Sequence, residues 1–451
     1  MITNNNSKSE MPDTIQDEIP DEMPVNSQDL ANYIGHLWNA NEQIQIILEV
    51  DASLDIDRIK RAVRLTIDAE PILGCKLIES EERPYWKRHT NIDDIKWCIY
   101  EEVNDKDVAI KRWLSQPFDT YDHQLKVIII RSKGTDTLCV KLNHACCDGG
   151  GAKDYLHLLV DTYNHLWEDI SYIPYINTSG KRDSSKLFDE LGVSDPKVFL
   201  NPELTTLRPT WAFPFKESKV DAFNFSICRL ECEQTKSLYT FTKENNVTMN
   251  DLILTAFYRT MFKLVNPEEK VPMEICVTVD LRRYLSEKKA EAICNLSGVV
   301  NHRIDRIEDE SSISTLKRVS LAMHDIKSNN PGLHSATSME MMAGFDYNQA
   351  VAFMKNAWEA CVTNGKSTIN LSNMGVVADY PLRLGKNLVT DAYLVTPVFK
   401  APSFMLGAST YNDVLTFTVG YCEPEVKKEA VDRFLDILCS ELVACIDERA
   451  I

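Results

Sequence analysis

The stretch Leu138–Gly151, LCVKLNHACCDGGG, decides how this chain is read. Leu138, Val140 and Leu142 alternate with Cys139, Lys141 and Asn143, the period of two expected of a strand with one face on a core. His144 stands at the strand's exit, and Gly149 to Gly151 follow shortly after. Tyr155, Leu156, Leu159, Tyr163 and Leu166 then recur at helical spacing through Ala152 to Trp167. Strand, tight turn and helix in that order expose one histidine at a sheet edge.

Each residue type in this turn suits a separate chemical task. An imidazole, with an ordinary pKa of ~6.5, is the side chain best fitted to act as a general base near neutral pH. Asp148, four residues on, either shares a helical face with His144 or turns away to pair with a cation that fixes the loop. The glycines lack side chains, so substrate and backbone can both come close to the histidine. Competing readings are weaker. His144 and Asp148 have no third ligand nearby, so a metal site is not expected. Cys146 and Cys147 invite a covalent mechanism, but inert buried cysteine is the common case. The glycine run lacks the lysine and hydroxyl residue of a phosphate loop.

The string His144-Ala145-Cys146-Cys147-Asp148-Gly149 resembles the HxxxDG motif of the superfamily that includes chloramphenicol acetyltransferase, peptide-synthetase condensation domains and acyl-CoA-dependent O-acyltransferases. Further segments resemble that superfamily's pattern in the same order. These are Leu54 to Leu73, Gln116-Pro117-Phe118-Asp119 with Leu125 to Arg131, Val247 to Asp251, Val277 to Arg282, and Asn370 to Gly375. The ordered matches run from about residue 30 to about 440, which makes them far more specific than any one motif. Asn143 stands where condensation domains usually carry a first histidine, and no DFGWG-like segment of the plant branch is present.

The resemblance implies an α/β (α+β) chain of two chloramphenicol acetyltransferase-like lobes. Each lobe is a mixed β-sheet flanked by helices, and the pair forms a V around a central tunnel. It implies an acyltransferase in which His144 deprotonates an alcohol or amine acceptor as that acceptor attacks a thioester. Asp148 and Gly149 complete the motif, and Asp148 would pair with Arg282, or with the adjacent Arg283, from the second half. Ser372 and Asn373 either support the oxyanion or shape a turn before Gly375. The expected cosubstrate is acyl-CoA or a phosphopantetheinyl carrier, an acyl or peptidyl carrier protein then acting in trans, with no tightly bound cofactor. A non-catalytic relative that binds a partner or a lipid-like ligand is the alternative.

Composition fits an enzyme of this kind. The chain has 451 residues, enough for two substantial cores, and its net charge of −18 argues against nucleic acid as a partner. Thirteen cysteines, an odd number with no CxxC pair, read as reduced thiols, and no apolar run reaches transmembrane length. A soluble, cytoplasmic monomer is expected. The acidic, proline-bearing residues 1–27 are expected to be a disordered tail. The N-terminal lobe is placed at 28–170, a linker or crossing segment at 171–215, and the C-terminal lobe at 216–451.

Overall fold

The computed structural model describes residues 18–447 apart from 39–40, 119–120, 206 and 218, so Asp119 lies outside the described residues. The strands, in chain order, are β1 Glu22–Pro24, β2 Gln43–Val50, β3 Cys75–Ile78, β4 Tyr85–Arg88, β5 Cys98–Glu102, β6 Leu125–Ser132 and β7 Thr135–Asn143. They continue with β8 Ala222–Leu230, β9 Met273–Asp280, β10 Ser297–Ile304, β11 Ile369–Val376, β12 Arg383–Leu384, β13 Asn387–Val395, β14 Phe404–Tyr411 and β15 Val414–Glu423. Four helices of the first half are α1 Ser27–Gly35, α2 Ile56–Ala69, α3 Lys106–Ser115 and α4 Gly149–Glu168.

Two six-stranded mixed sheets form the centres of two lobes, and β1-β4-β3 makes a small third sheet. The first sheet runs β12-β13-β2-β7-β6-β5, antiparallel except for β5 beside β6. Alternation along β2 and β7 sends Ile44, Ile46, Leu48, Leu138, Val140 and Leu142 into one core, with Ile59, Val63 and Ile67 of α2 and Tyr155, Leu159 and Tyr163 of α4. The other face is buried too. There Ile47, Cys139 and Ile128 pack with Ile110 and Trp113 of α3. On that face Lys141, 2 % exposed, donates from Nζ to the Trp113 carbonyl at 2.6 Å and to Gln116 O, capping the carbonyl end of α3.

The second sheet runs β10-β9-β11-β14-β15-β8 and packs on the helices Met249–Val265, Ser312–Lys327 and Lys428–Asp447. Thr248 and Asp251 form the reciprocal capping box that opens the first of these helices, as the sequence pattern predicts. The architecture is the expected two-lobed α/β arrangement.

Two of the expected boundaries change, at residue 216 and at the end of the tail. Residue 216 does not divide the sheets, because β12 and β13 return to the first lobe, where Val395 pairs with Gln45 and Ala392 with Leu48. Strand alternation in β13 shows that it is a strand but not which sheet it joins, so this crossing has no local signature. Within the expected linker, Ser185–Glu190, Pro196–Phe199 and Pro202–Thr205 are helical turns, and Arg182 is bonded into the body of the protein. Of the expected disordered tail, residues 1–17 lie outside the described residues. The remainder is ordered: Met23 of β1 pairs with Trp86, and α1 begins at Ser27 with Asn26 as its N-cap.

Candidate functional site

The turn after β7 is built by Asn143. Its side-chain oxygen accepts from Ala145 N at 3.0 Å and its carbonyl from Cys146 N at 2.9 Å, the local bonding that favours asparagine in turns. His144 follows at the strand's exit. Its backbone N donates to Glu42 O at 2.9 Å, and its carbonyl accepts from Asn32 Nδ2 at 3.2 Å and from Asn295 Nδ2 at 2.9 Å. Both lobes therefore hold the His144 backbone. The ring is only partly buried, and its Nδ1 is enclosed without a hydrogen-bond partner.

Asp148 is the N-cap of α4 and is 4 % exposed. One carboxylate oxygen accepts from Gly151 N at 2.8 Å, and the other from Leu296 N at 2.8 Å and Arg282 Nη1 at 3.0 Å. Burial alone would raise this carboxyl, but the Arg282 guanidinium and the two backbone donors hold it below the ordinary aspartate value. Arg282, also 4 % exposed, further donates to Cys294 O at 3.2 Å and lies 3.2 Å from Asp280 Oδ1. The aspartate is thus a tie between the loop, its helix and the second lobe.

Arg283 is exposed and lies beside the Tyr284 ring. The choice between the arginines is not one of alternating strand faces, because β9 ends at Asp280 and Leu281–Tyr284 is a 3₁₀ turn. Asp280 caps that turn by accepting from Arg282 N at 3.0 Å.

The glycines admit close neighbours. A Cβ at Gly150 would run into the Arg282 guanidinium, and one at Gly151 would lie 2.9 Å from Cys294 O. Those two let the second lobe come close. Gly149 and Gly150 border the pocket.

The pocket beside His144 encloses about 120 Å³ and is bounded by His144, Gly149 and Lys153 of the first lobe and Thr278, Ser297 and Ser372 of the second, among others. It opens where the second sheet splits. β9 and β11 pair only at Asn370 with Cys276 and Leu371 with Val277, so the next residues part around the opening. Ser372 Oγ accepts from Thr278 Oγ1 at 3.5 Å at its wall. Asn373 lies there too, but its side chain is engaged, donating to Asn250 Oδ1 at 3.3 Å and accepting from Gly375 N at 3.1 Å. Both residues lie in β11, which bulges between Asn373 and Val376. Lys153 Nζ donates to Met374 O at 3.0 Å, a further link across the lobes. Cys146 and Cys147 are fully buried, and Cys147 is pushed well up by its contact with Cys146 and by burial, which leaves it a poor nucleophile.

Sequence reasoning missed the support behind the loop. Asn295 Nδ2 also reaches Ala145 O at 3.1 Å and Asp29 Oδ1 at 3.0 Å. Asp29 Oδ2 accepts from Trp86 Nε1 at 3.0 Å and Arg182 Nη1 at 2.8 Å, and Arg182 Nη2 donates to Cys146 O at 2.8 Å. This buried network joins residues far apart in the chain and carries no spacing that could have flagged it.

The comparisons with known proteins agree with this fold. The family model for the phthiocerol/phthiodiolone dimycocerosyl transferase C-terminus matches residues 219–393. Polyketide synthase associated protein 5 from Mycobacterium tuberculosis is similar in structure, with TM-score 0.64, 14 % identity, and 93 % of this chain and 98 % of that one covered. Trichothecene 15-O-acetyltransferase from Fusarium sporotrichioides gives TM-score 0.69 at 11 % identity over 94 % and 95 % of the two chains. The epimerization domain from the third module of tyrocidine synthetase B gives 0.67 at 16 % over 96 % and 99 %. No curated protein matches the chain by sequence. The fold is therefore that of the acyltransferases and condensation domains that the HxxxDG motif suggests, and the family match in the second half is to a transferase. At these identities the structural likeness fixes architecture, and an epimerization domain among the neighbours shows that one fold hosts more than one reaction.

Proposed function

We propose that this chain is an acyltransferase that moves an acyl group from a thioester, on CoA or on a phosphopantetheinyl carrier, to an alcohol or amine, with His144 as general base. The observation that carries this reading is the position of His144, on a loop tied to both lobes and facing a small pocket edged by hydroxyl groups. The acceptor's O–H or N–H gives its proton to the imidazole as the oxygen or nitrogen bonds to the thioester carbon. The tetrahedral oxyanion then collapses, the C–S bond breaks, and the thiolate takes the proton from the imidazolium.

Ser372, whose hydroxyl accepts from Thr278 and keeps its own proton, would donate to that oxyanion from the pocket wall. Asp148 and Arg282 tie the loop to its helix and to the second lobe and act as positioning residues, while Gly149 borders the pocket. The unpartnered Nδ1 of His144 leaves the ring's orientation to its backbone anchors. A pocket of about 120 Å³ accommodates the reacting carbonyl and its immediate neighbours. The acyl chain, the CoA or carrier arm and most of the acceptor extend beyond it.

The test is thiol release from a panel of acyl-CoAs and loaded carrier proteins with mixed alcohol and amine acceptors. Acyl transfer should fall by ~10²- to 10⁴-fold in His144→Ala. Full turnover in that variant would overturn the assignment of the base, and no turnover with any CoA or carrier donor would overturn the transferase reading.

A further inference from the structure

On the outer side of the second lobe, away from the pocket, Cys228 of β8 and Cys439 of the helix Lys428–Asp447 bring their Sγ atoms to 2.7 Å. Both side chains are partly exposed, so small reagents can reach them. Neither is used by the proposed reaction. The pairing follows from the fold. β8 is the edge strand of its sheet and the helix is the last element of the lobe, and the two pack together through Ser226 Oγ, which donates to Asp432 Oδ1 at 2.7 Å. Cys228 lies two residues after Ser226 on the same face of the strand, and Cys439 two helical turns after Asp432 on the same face of the helix. The contact is thus fixed by two elements in register, and the thiols need only a sub-ångström approach to reach disulfide bonding distance.

We propose that Cys228 and Cys439 are a thiol-oxidation site that forms a reversible disulfide, stapling the terminal helix to the edge strand. The oxidant is a low-molecular-weight disulfide such as oxidised glutathione. One protein thiolate attacks it, forming a mixed disulfide and releasing one glutathione thiol. The second thiolate then displaces the remaining glutathione, giving the protein disulfide and two reduced glutathiones. The first attack falls to Cys228, whose thiol is lowered by the hydrogen bond with Cys439 Sγ, while Cys439 is raised by the same contact.

The bond would close a loop of sequence separation 211, which spans most of the second lobe. Loop-closure entropy makes such a long link among the more stabilising ones available. It would leave His144 and the pocket untouched.

The experiment equilibrates the full chain in glutathione buffers of graded redox poise, traps free thiols by alkylation and maps linked peptides by mass spectrometry, with thermal melts of each form. The expected result is a Cys228–Cys439 link that forms reversibly and raises the melting temperature by several degrees, with neither effect in Cys228→Ser or Cys439→Ser. Full alkylation of both residues at the most oxidising poise would overturn the site. A link formed without any rise in melting temperature would overturn the staple.

Discussion

Gly149, Gly150 and Gly151 are adjacent and identical, yet a methyl group added to each would meet different neighbours. At Gly149 it would sit 3.4 Å from Met374 Cγ, an ordinary contact at the pocket's edge. At Gly150 it would push into the Arg282 guanidinium. Gly149→Ala is therefore expected to keep its stability, whereas Gly150→Ala should lose about 1–3 kcal/mol in urea unfolding. Arg282 itself offers a sharper measurement. Removing it leaves the Asp148 carboxylate buried without its cation, a loss expected to reach about 3–5 kcal/mol in Arg282→Met. Asp148→Asn combined with Arg282→Met should recover part of that loss, and a double-mutant cycle of unfolding free energies would measure the coupling. His144, Asp148 and Arg282 could all be picked from the sequence because ordered motifs surround them. The choice of Arg282 over Arg283 could not, because it depends on where β9 stops, and that is set by a single side-chain cap from Asp280.

Among elements, α1 matters to the site more than its sequence suggests. It begins at Ser27, where the expected tail ends, and carries no motif, yet it supplies Asp29 and Asn32 to the support of the loop that carries His144. Asn295, just before β10, completes the support by bonding the carbonyls of His144 and Ala145 together with Asp29. Asn295→Ala would remove these bonds without opening the pocket, since Asn295 does not line it. Its expected signature is a fall in kcat larger than any rise in KM, with a loss of about 1–3 kcal/mol in stability. Steady-state kinetics and urea melts on one preparation check both. The strands and helices themselves were legible, since β7, β9, β15 and the final helix follow clear apolar periods. The buried polar contacts between them were not, because a hydrogen bond joining residues 29, 182 and 295 leaves no period in the sequence.

For the whole molecule, the second core contains a pH-sensitive group remote from the site. His302 of β10 is fully buried, with ring nitrogens 3.1 Å from Tyr258 Oη and from Val319 O, and burial pushes its imidazole down to about 4. The unfolded chain binds that proton near pH ~6.5. Its contribution to stability is thus complete above ~6.5 and is lost as pH falls toward 4, by about 3 kcal/mol in all. Asp148, held below its ordinary value, keeps its contribution above ~3.9 and loses it only at lower pH, so the two windows are separate. Urea unfolding of wild type and His302→Gln at pH 7 and 4.5 should show a smaller pH dependence in the variant.

The return of β13 to the first sheet also has a consequence during synthesis. Gln45 and Val395 are strand partners, so a nascent chain presents β2 as an open edge until residue 395 has been made. Exposed strand edges template wrong pairing. The first lobe cannot finish folding while the ribosome is still working through the second, and chains released before β13 should aggregate through β2 rather than survive as a free N-terminal half.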